Sequence, residues 1–207
     1  MRIVLLGPQG AGKGTLARAL SELCRLPHID VGAMYRQAYA AQTELGLRAH
    51  SYWGAGHIVP DEITIPMVLV RLRQPDCRFG FILDGFPRTI AQARALDKAF
   101  RPDAVLYLKL DDRTAIHRLL ARLNCPACGA IYGAALPPRR CGFCDCGAKL
   151  IRRSDESAEL IKIRLADYHT KTEPILDYYR GRYSTIDASL PVERVVERAA
   201  VLLGIKV

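Results

Sequence analysis

Two groups of residues in this 207-residue chain have the types and spacing to do chemistry. The first is Gly7-Pro8-Gln9-Gly10-Ala11-Gly12-Lys13-Gly14-Thr15, a G-x-x-x-x-G-K pattern. It follows the apolar run Arg2–Leu6 and precedes Leu16–Leu23, whose apolar residues recur at helical spacing. A strand, a glycine loop and a helix in that order make a phosphate cradle. The glycines let backbone N–H groups of Gly10, Ala11, Gly12, Lys13, Gly14 and Thr15 approach oxyanions, and the helix N-terminus adds a favourable dipole. Lys13 supplies a positive charge for the outer phosphates. The spacing of Gly7, Gly10 and Gly12 does not fit the dinucleotide pattern G-x-G-x-x-G. Gly14 stands where Ser or Thr is usual, and the hydroxyl arrives one residue later at Thr15. Mg²⁺ is therefore expected to be held mainly by phosphate oxygens and water.

The second group is a cysteine cluster. Five of the seven cysteines fall between Cys125 and Cys146, which in a cytosolic chain suggests metal binding more than disulfides. Cys125-Pro126-Ala127-Cys128-Gly129 has the form of a zinc knuckle. Its partner is open among Cys141, Cys144 and Cys146. Cys141-x-x-Cys144 has the usual spacing, so the expected ligands are Cys125, Cys128, Cys141 and Cys144, with Cys146 as the alternative. Four thiolates leave no open position, so such a zinc is structural. Cys24 and Cys77 read as buried small hydrophobes.

The elements that must position these groups alternate between strand and helix. Gly80–Leu83 is a second apolar strand, ending at Asp84, where a carboxylate can approach a phosphate-bound Mg²⁺. Ala104–Leu110 is a third strand, Tyr183–Asp187 a short last one, and Pro27–Asp30 returns the chain to the sheet edge. Helices are expected from Asp61 (as N-cap), after Thr89, after Asp111, from about residue 157 to Tyr179 with a break at Pro174, and from Pro191 to Leu203. Gly32–Gly56 reads as a helical excursion broken at Gly46 and Gly54. The alternation argues for an α/β fold with a parallel sheet and ligands at the strands' C-terminal ends.

The formal charge of +9 allows an anionic partner. Nucleic acid is disfavoured, because no aromatic platform or basic run stands beside the cysteines. No apolar run approaches the roughly 20 residues of a membrane span, and Met1-Arg2 leads straight into the first strand, so a cytoplasmic location is expected.

The chain resembles the adenylate kinases over nearly its whole length. The resemblance rests on Gly7–Thr15 with its Gly-Lys-Gly-Thr ending and on Asp84-Gly85-Phe86-Pro87-Arg88-Thr89. It rests also on the zinc-lid position and on Arg153-x-Asp155-Glu156 followed by Arg164 and Tyr168-His169. It implies a P-loop NTPase-like parallel sheet flanked by helices (residues 1–30, 60–120 and 157–207). A helical NMP-binding insertion (31–59) and a small zinc-ribbon lid (121–156) are implied to move on it. It implies Mg²⁺-dependent, reversible transfer of the ATP γ-phosphoryl group to AMP, giving two ADP, by a monomer. By the same resemblance Lys13, Asp84, Arg88, Arg122, Arg153 and Arg164 carry the phosphoryl chemistry, and Arg118, Arg122 and Tyr132 join the loop in holding ATP. Val31, Arg36, Val59, Gly85, Arg88, Gln92, Arg153 and Arg164 hold AMP, with Gln92 reading the adenine edge. Two departures concern the acceptor. The family usually has Ser-Thr-Gly-Asp where this chain has Asp30-Val31-Gly32-Ala33, so Val31 lacks a hydroxyl and Ala33 an acid.

Overall fold

The computed structural model describes residues 1–133, 136–152 and 157–205. The expected strands form one five-stranded sheet: β1 (Arg2–Leu6), β2 (His28–Asp30), β3 (Phe81–Asp84), β4 (Ala104–Lys109) and, near the C-terminus, β7 (Tyr183–Asp187). Their order is β2-β3-β1-β4-β7 and every pairing is parallel. Parallel strands need crossovers, and helices supply them. These are α1 (Lys13–Cys24), α2 (Val31–Ala40), α3 (Glu44–Trp53), α4 (Asp61–Leu72), α5 (Ile90–Phe100) and α6 (Asp112–Leu120). The chain continues through α7 (Ala158–Asp167) and α8 (Ile175–Tyr178), and closes with α9 (Val192–Leu202). Successive strand residues point to opposite faces, so each strand feeds two cores. Ile3, Leu5, Ile82, Leu106 and Leu108 join Leu16, Leu20, Leu119, Ile161 and Ala199 on one face. Val4, Leu6, Phe81, Leu83 and Val105 join Val68, Leu96, Ile175 and Tyr179 on the other.

The register brings the chemistry-bearing ends together. Leu5 lies opposite Asp84, and Asp84 opposite Asp30, so both acids end up beside the loop that leaves β1. The cysteine segment stands apart as a two-stranded antiparallel sheet, β5 (Leu123–Asn124) with β6 (Ile131–Tyr132), around Cys125, Tyr132, Cys144 and Leu150.

Three expectations change. Gly46 does not break the excursion but lies inside α3, where a Cβ would collide with the backbone of Ala38; the glycine lets α3 pack against α2. Asp61 is not the N-cap of α4: Pro60 holds that place, and the Asp61 carboxylate reaches α5 instead. The helix after residue 157 breaks at Pro174 as expected, where Pro174 caps α8, but it is not one α-helix up to that point: α7 passes into a π-helix at Tyr168–Thr172. There His169 bridges Asp112 (Nε2 to Oδ2, 2.9 Å) and Glu173 (Nδ1 to Oε2, 2.8 Å), fastening the turn to the start of α6.

Candidate active site

The loop from Gly7 to Gly12 is shaped by what surrounds it. Gly10 has φ +85°, and a Cβ on it would lie 2.8 Å from the Ala115 carbonyl oxygen, so only glycine fits there. The α1 helix begins at Lys13 with no side-chain cap, leaving its first N–H groups to whatever fills the loop. Lys13 Nζ donates to the carbonyls of Gly7 and Pro8, both at 2.7 Å. Burial pulls the Lys13 ammonium down to about 8, against the opposing pull of Asp84, and the charges of Arg88 and Arg122 add to the lowering. Desolvation makes this cation ready to gain from an anion. Burial pushes the Asp84 carboxyl up, but His28, with Nε2 at 3.8 Å, and Lys13 more than offset this, and it lies below the usual carboxylate range.

Asp84 leads into Gly85–Thr89, where Arg88 is fixed from three directions. Its Nε donates to the Gly85 carbonyl (2.9 Å), its backbone N–H to Gln92 Oε1 (2.7 Å), and its carbonyl accepts from Thr172 Oγ1 (3.0 Å). Burial lowers the Arg88 pKa, with Arg164 adding to it and Tyr35 and Asp84 opposing, yet a guanidinium stays a cation. Thr89 caps α5 by accepting from Gln92 N–H at 3.1 Å.

One cavity of about 1140 Å³ joins these parts. Gly10–Thr15, Asp84, Gly85, Arg88 and Gln92 line it, together with Arg36, Val59, Arg118, Arg122, Tyr132 and Arg164. Arg118 is held to the Ala188 carbonyl (2.8 Å), which orients it along the cavity wall. The Tyr132 hydroxyl is engaged beside the cysteines, accepting from Asp145 N–H at 3.2 Å. Val31, 1% exposed, is buried among core residues rather than lining the cavity. Arg153, Asp155 and Glu156 lie outside the described residues.

The acid missing at position 33 is supplied one turn earlier. Asp30 Oδ1 caps α2 at Ala33 N–H (2.9 Å), and its Oδ2 meets Arg36 at 3.3 Å.

Among the described residues, Sγ atoms of Cys125, Cys128, Cys144 and Cys146 all lie within 4.8 Å of one another. Cys125–Cys146 and Cys128–Cys144 are 3.5 Å apart. A tetrahedral zinc with Zn–S near 2.3 Å needs sulfurs roughly 3.8 Å apart, so the donor set fits. This corrects the expected set: Cys146 replaces Cys141. The reason is local. In the first knuckle Gly129 N–H donates to the Cys125 carbonyl (3.0 Å) and Cys125 N–H to Ala130 (2.8 Å). The second repeats this with Gly147 to Cys144 and Cys144 to Ala148, both 2.8 Å, but one residue shorter, as C-x-C-G. Cys141 is exposed in the turn that pairs Arg140 with Phe143.

The family model described as adenylate kinase matches residues 5–184. The chain belongs to the adenylate kinase family. It is 46% identical to an adenylate kinase of Streptomyces coelicolor over 209 residues, covering 96% of each chain. It is 44% identical to one of Moorella thermoacetica, covering 99% of this chain and 98% of that one, and 42% identical to one of Clostridium beijerinckii, covering 99% of each. Membership makes the chain a nucleoside monophosphate phosphotransferase that uses ATP. Among the described residues no helix is long and apolar enough to cross a membrane. For an adenylate kinase-family site, sequence reasoning missed the supports: His28, Asp30, Asp61 and Thr172. Of these Asp30 and Asp61 both stand as acids ahead of a helical pattern, but only at Asp30 does that local signal match the role, since Asp30 caps α2 and Asp61 does not cap α4.

Proposed function

We propose that the chain transfers the γ-phosphoryl group of Mg²⁺-ATP reversibly to AMP, giving two ADP. The observation that carries this reading is that one cavity is lined by the Gly10–Thr15 loop, Arg88 and Gln92 together. The loop N–H groups and Lys13 hold the donor phosphates, with Arg118 against the donor's adenine. Arg36 and Arg88 hold the acceptor phosphate, and Arg122, Arg153 and Arg164 surround the group in transit. An acceptor phosphate oxygen attacks the γ-phosphorus while the bond to the β,γ-bridging oxygen breaks. The acceptor is already anionic, so no general base is required, and positioning with charge stabilisation supplies the catalysis. The Asp84 carboxylate, held anionic beside Lys13, is suited to hold Mg²⁺ through water, since Gly14 offers no hydroxyl. When bound, Mg²⁺ neutralises charge on the donor phosphates.

In this reading residues 1–30, 60–120 and 157–207 form the core. Residues 31–59 close over the monophosphate and 121–156 over ATP, excluding water that would otherwise hydrolyse it. The lid is stiffened by zinc on Cys125, Cys128, Cys144 and Cys146, and the protein works as a cytoplasmic monomer. A coupled assay with ATP, Mg²⁺ and each of AMP, CMP, GMP and UMP tests the reading. AMP is expected to be turned over fastest. UMP or CMP outrunning AMP overturns it.

A further inference from the structure

The Gln92 side chain is fully buried, at 0% exposure, and both ends of its carboxamide are engaged. Oε1 accepts from the Arg88 N–H and Nε2 donates to Asp61 Oδ1, each at 2.7 Å. A carboxamide's two ends are ordinarily hard to tell apart. Here the partners decide the sense: a backbone N–H only donates and a carboxylate only accepts. Inverting the amide would set donor against donor and acceptor against acceptor. The carboxylate is itself anchored, because Thr89 Oγ1 donates to its oxygens at 2.9 and 3.0 Å. Asp61 does not line the cavity, whereas Gln92 does.

Each end of the carboxamide keeps one valence, an N–H on Nε2 and a lone pair on Oε1. The face left for a ligand is therefore a donor and an acceptor in one fixed sense. It matches a base edge that carries an exocyclic amino group beside an unprotonated ring nitrogen, as adenine and cytosine do. Guanine and uracil present the inverse, a carbonyl oxygen beside a ring N–H. We propose that Asp61 determines acceptor specificity. By locking the Gln92 carboxamide, this positioning residue selects monophosphates of amino-bearing bases over those of oxo bases. The proposal rests on the reading of Gln92 as the residue that meets the acceptor base. The lock does not by itself tell a purine from a pyrimidine.

The test is kcat/KM for AMP, CMP, GMP and UMP at saturating Mg²⁺-ATP, in the parent enzyme and in Asp61→Asn and Gln92→Leu. An asparagine at 61 can accept from Gln92 or donate to it, which leaves only the Arg88 N–H to hold the sense of the amide. Asp61→Asn is expected to lower AMP and CMP about tenfold, the worth of one charge-assisted hydrogen bond, and to leave GMP and UMP within about twofold. A common fall for all four makes Asp61 a structural residue only and overturns the proposal, as does an unchanged panel. Gln92→Leu separates the two levels of the argument. If it leaves the panel unchanged, the base is not read there and the underlying reading fails with the proposal. If it levels the panel while Asp61→Asn does not, the proposal alone fails. Should Asp61→Asn melt below the assay temperature, Thr89→Val is read on the same panel. It removes the anchoring hydroxyl and is expected to narrow the AMP-to-GMP ratio about threefold, and an unchanged ratio overturns the proposal.

Discussion

Between Gly7 and Thr15 the cavity wall is backbone, shaped by glycine conformations and by one folded-back lysine. Around Arg88 the wall is backed by a net of side chains from Asp61, Gln92 and Thr172, which lie up to 84 positions from Arg88 along the chain. The loop end concentrates its constraint in nine consecutive residues, and its effect on phosphate is direct. The Arg88 end distributes its constraint over helices α4 and α5 and the π-turn, so each supporting bond carries a smaller share. The contrast predicts few, severe lesions at the loop end and several graded ones at the other.

The largest effect should come from Lys13→Met. Removing a preorganised cation aimed at the reacting phosphates typically costs about 10²- to 10³-fold in turnover. We expect kcat to fall by that order with every monophosphate alike. The same change should alter stability in a defined pH window. The lysine has a folded-state pKa lowered to about 8 from 10.5, so between those values the unfolded chain binds more protons and stability rises with pH. Thermal melts of the ligand-free parent should show that rise between about pH 8 and 10.5, and Lys13→Met should lack it. A flat difference across this range would show that the ammonium is not desolvated, and the loop end would lose its distinguishing feature.

The same contrast explains what could be read from the chain. The loop, the strand ending at Asp84 and the alternation of strands with helices depend on neighbours in sequence, and the sheet follows them closely. Asp61 looked like a helix cap because it stands just ahead of an apolar helical pattern. Pro60 took that position, and the freed carboxylate found Thr89 and Gln92 on α5, a pairing no local pattern encodes. Thr172 was hidden for a related reason. Helical periodicity runs through residues 157–179, whereas the π-helix at Tyr168–Thr172 turns the threonine toward Arg88. At the second knuckle, spacing alone points to C-x-x-C at Cys141, the commoner form, whereas the backbone bonds favour C-x-C-G at Cys144.

That correction gives the next test, on the segment proposed to close over the loop end. Cys146→Ser should lose the bound zinc and lower the melting temperature, while Cys141→Ser should retain both. Metal content by mass spectrometry together with thermal melts decides it. Replacing a ligand in a closed four-thiolate site removes stabilisation that is coupled to folding of the segment. The main core, built on the five-stranded sheet, should remain folded in both variants. Equal zinc in Cys146→Ser and the parent would return Cys141 to the ligand set.

The smallest effect bears on the Arg88 end. Thr172 is 8% exposed, and its hydroxyl donates to the Arg88 carbonyl across the boundary between the π-turn and α5. Valine keeps the volume and deletes the bond, leaving a carbonyl short of a partner at a cost of about 1 kcal/mol. Gln92 still holds the Arg88 N–H and Gly85 still accepts from its Nε, so the guanidinium is loosened rather than released. We therefore expect Thr172→Val to raise the KM for the monophosphate about threefold to fivefold, and to leave the KM for ATP unchanged. A matching rise in both constants would mean that the π-turn supports the cavity as a whole, and the division between a backbone-built end and a net-built end would fail. A rise confined to the monophosphate would place the π-helix at Tyr168–Thr172, through this one hydroxyl, in acceptor binding.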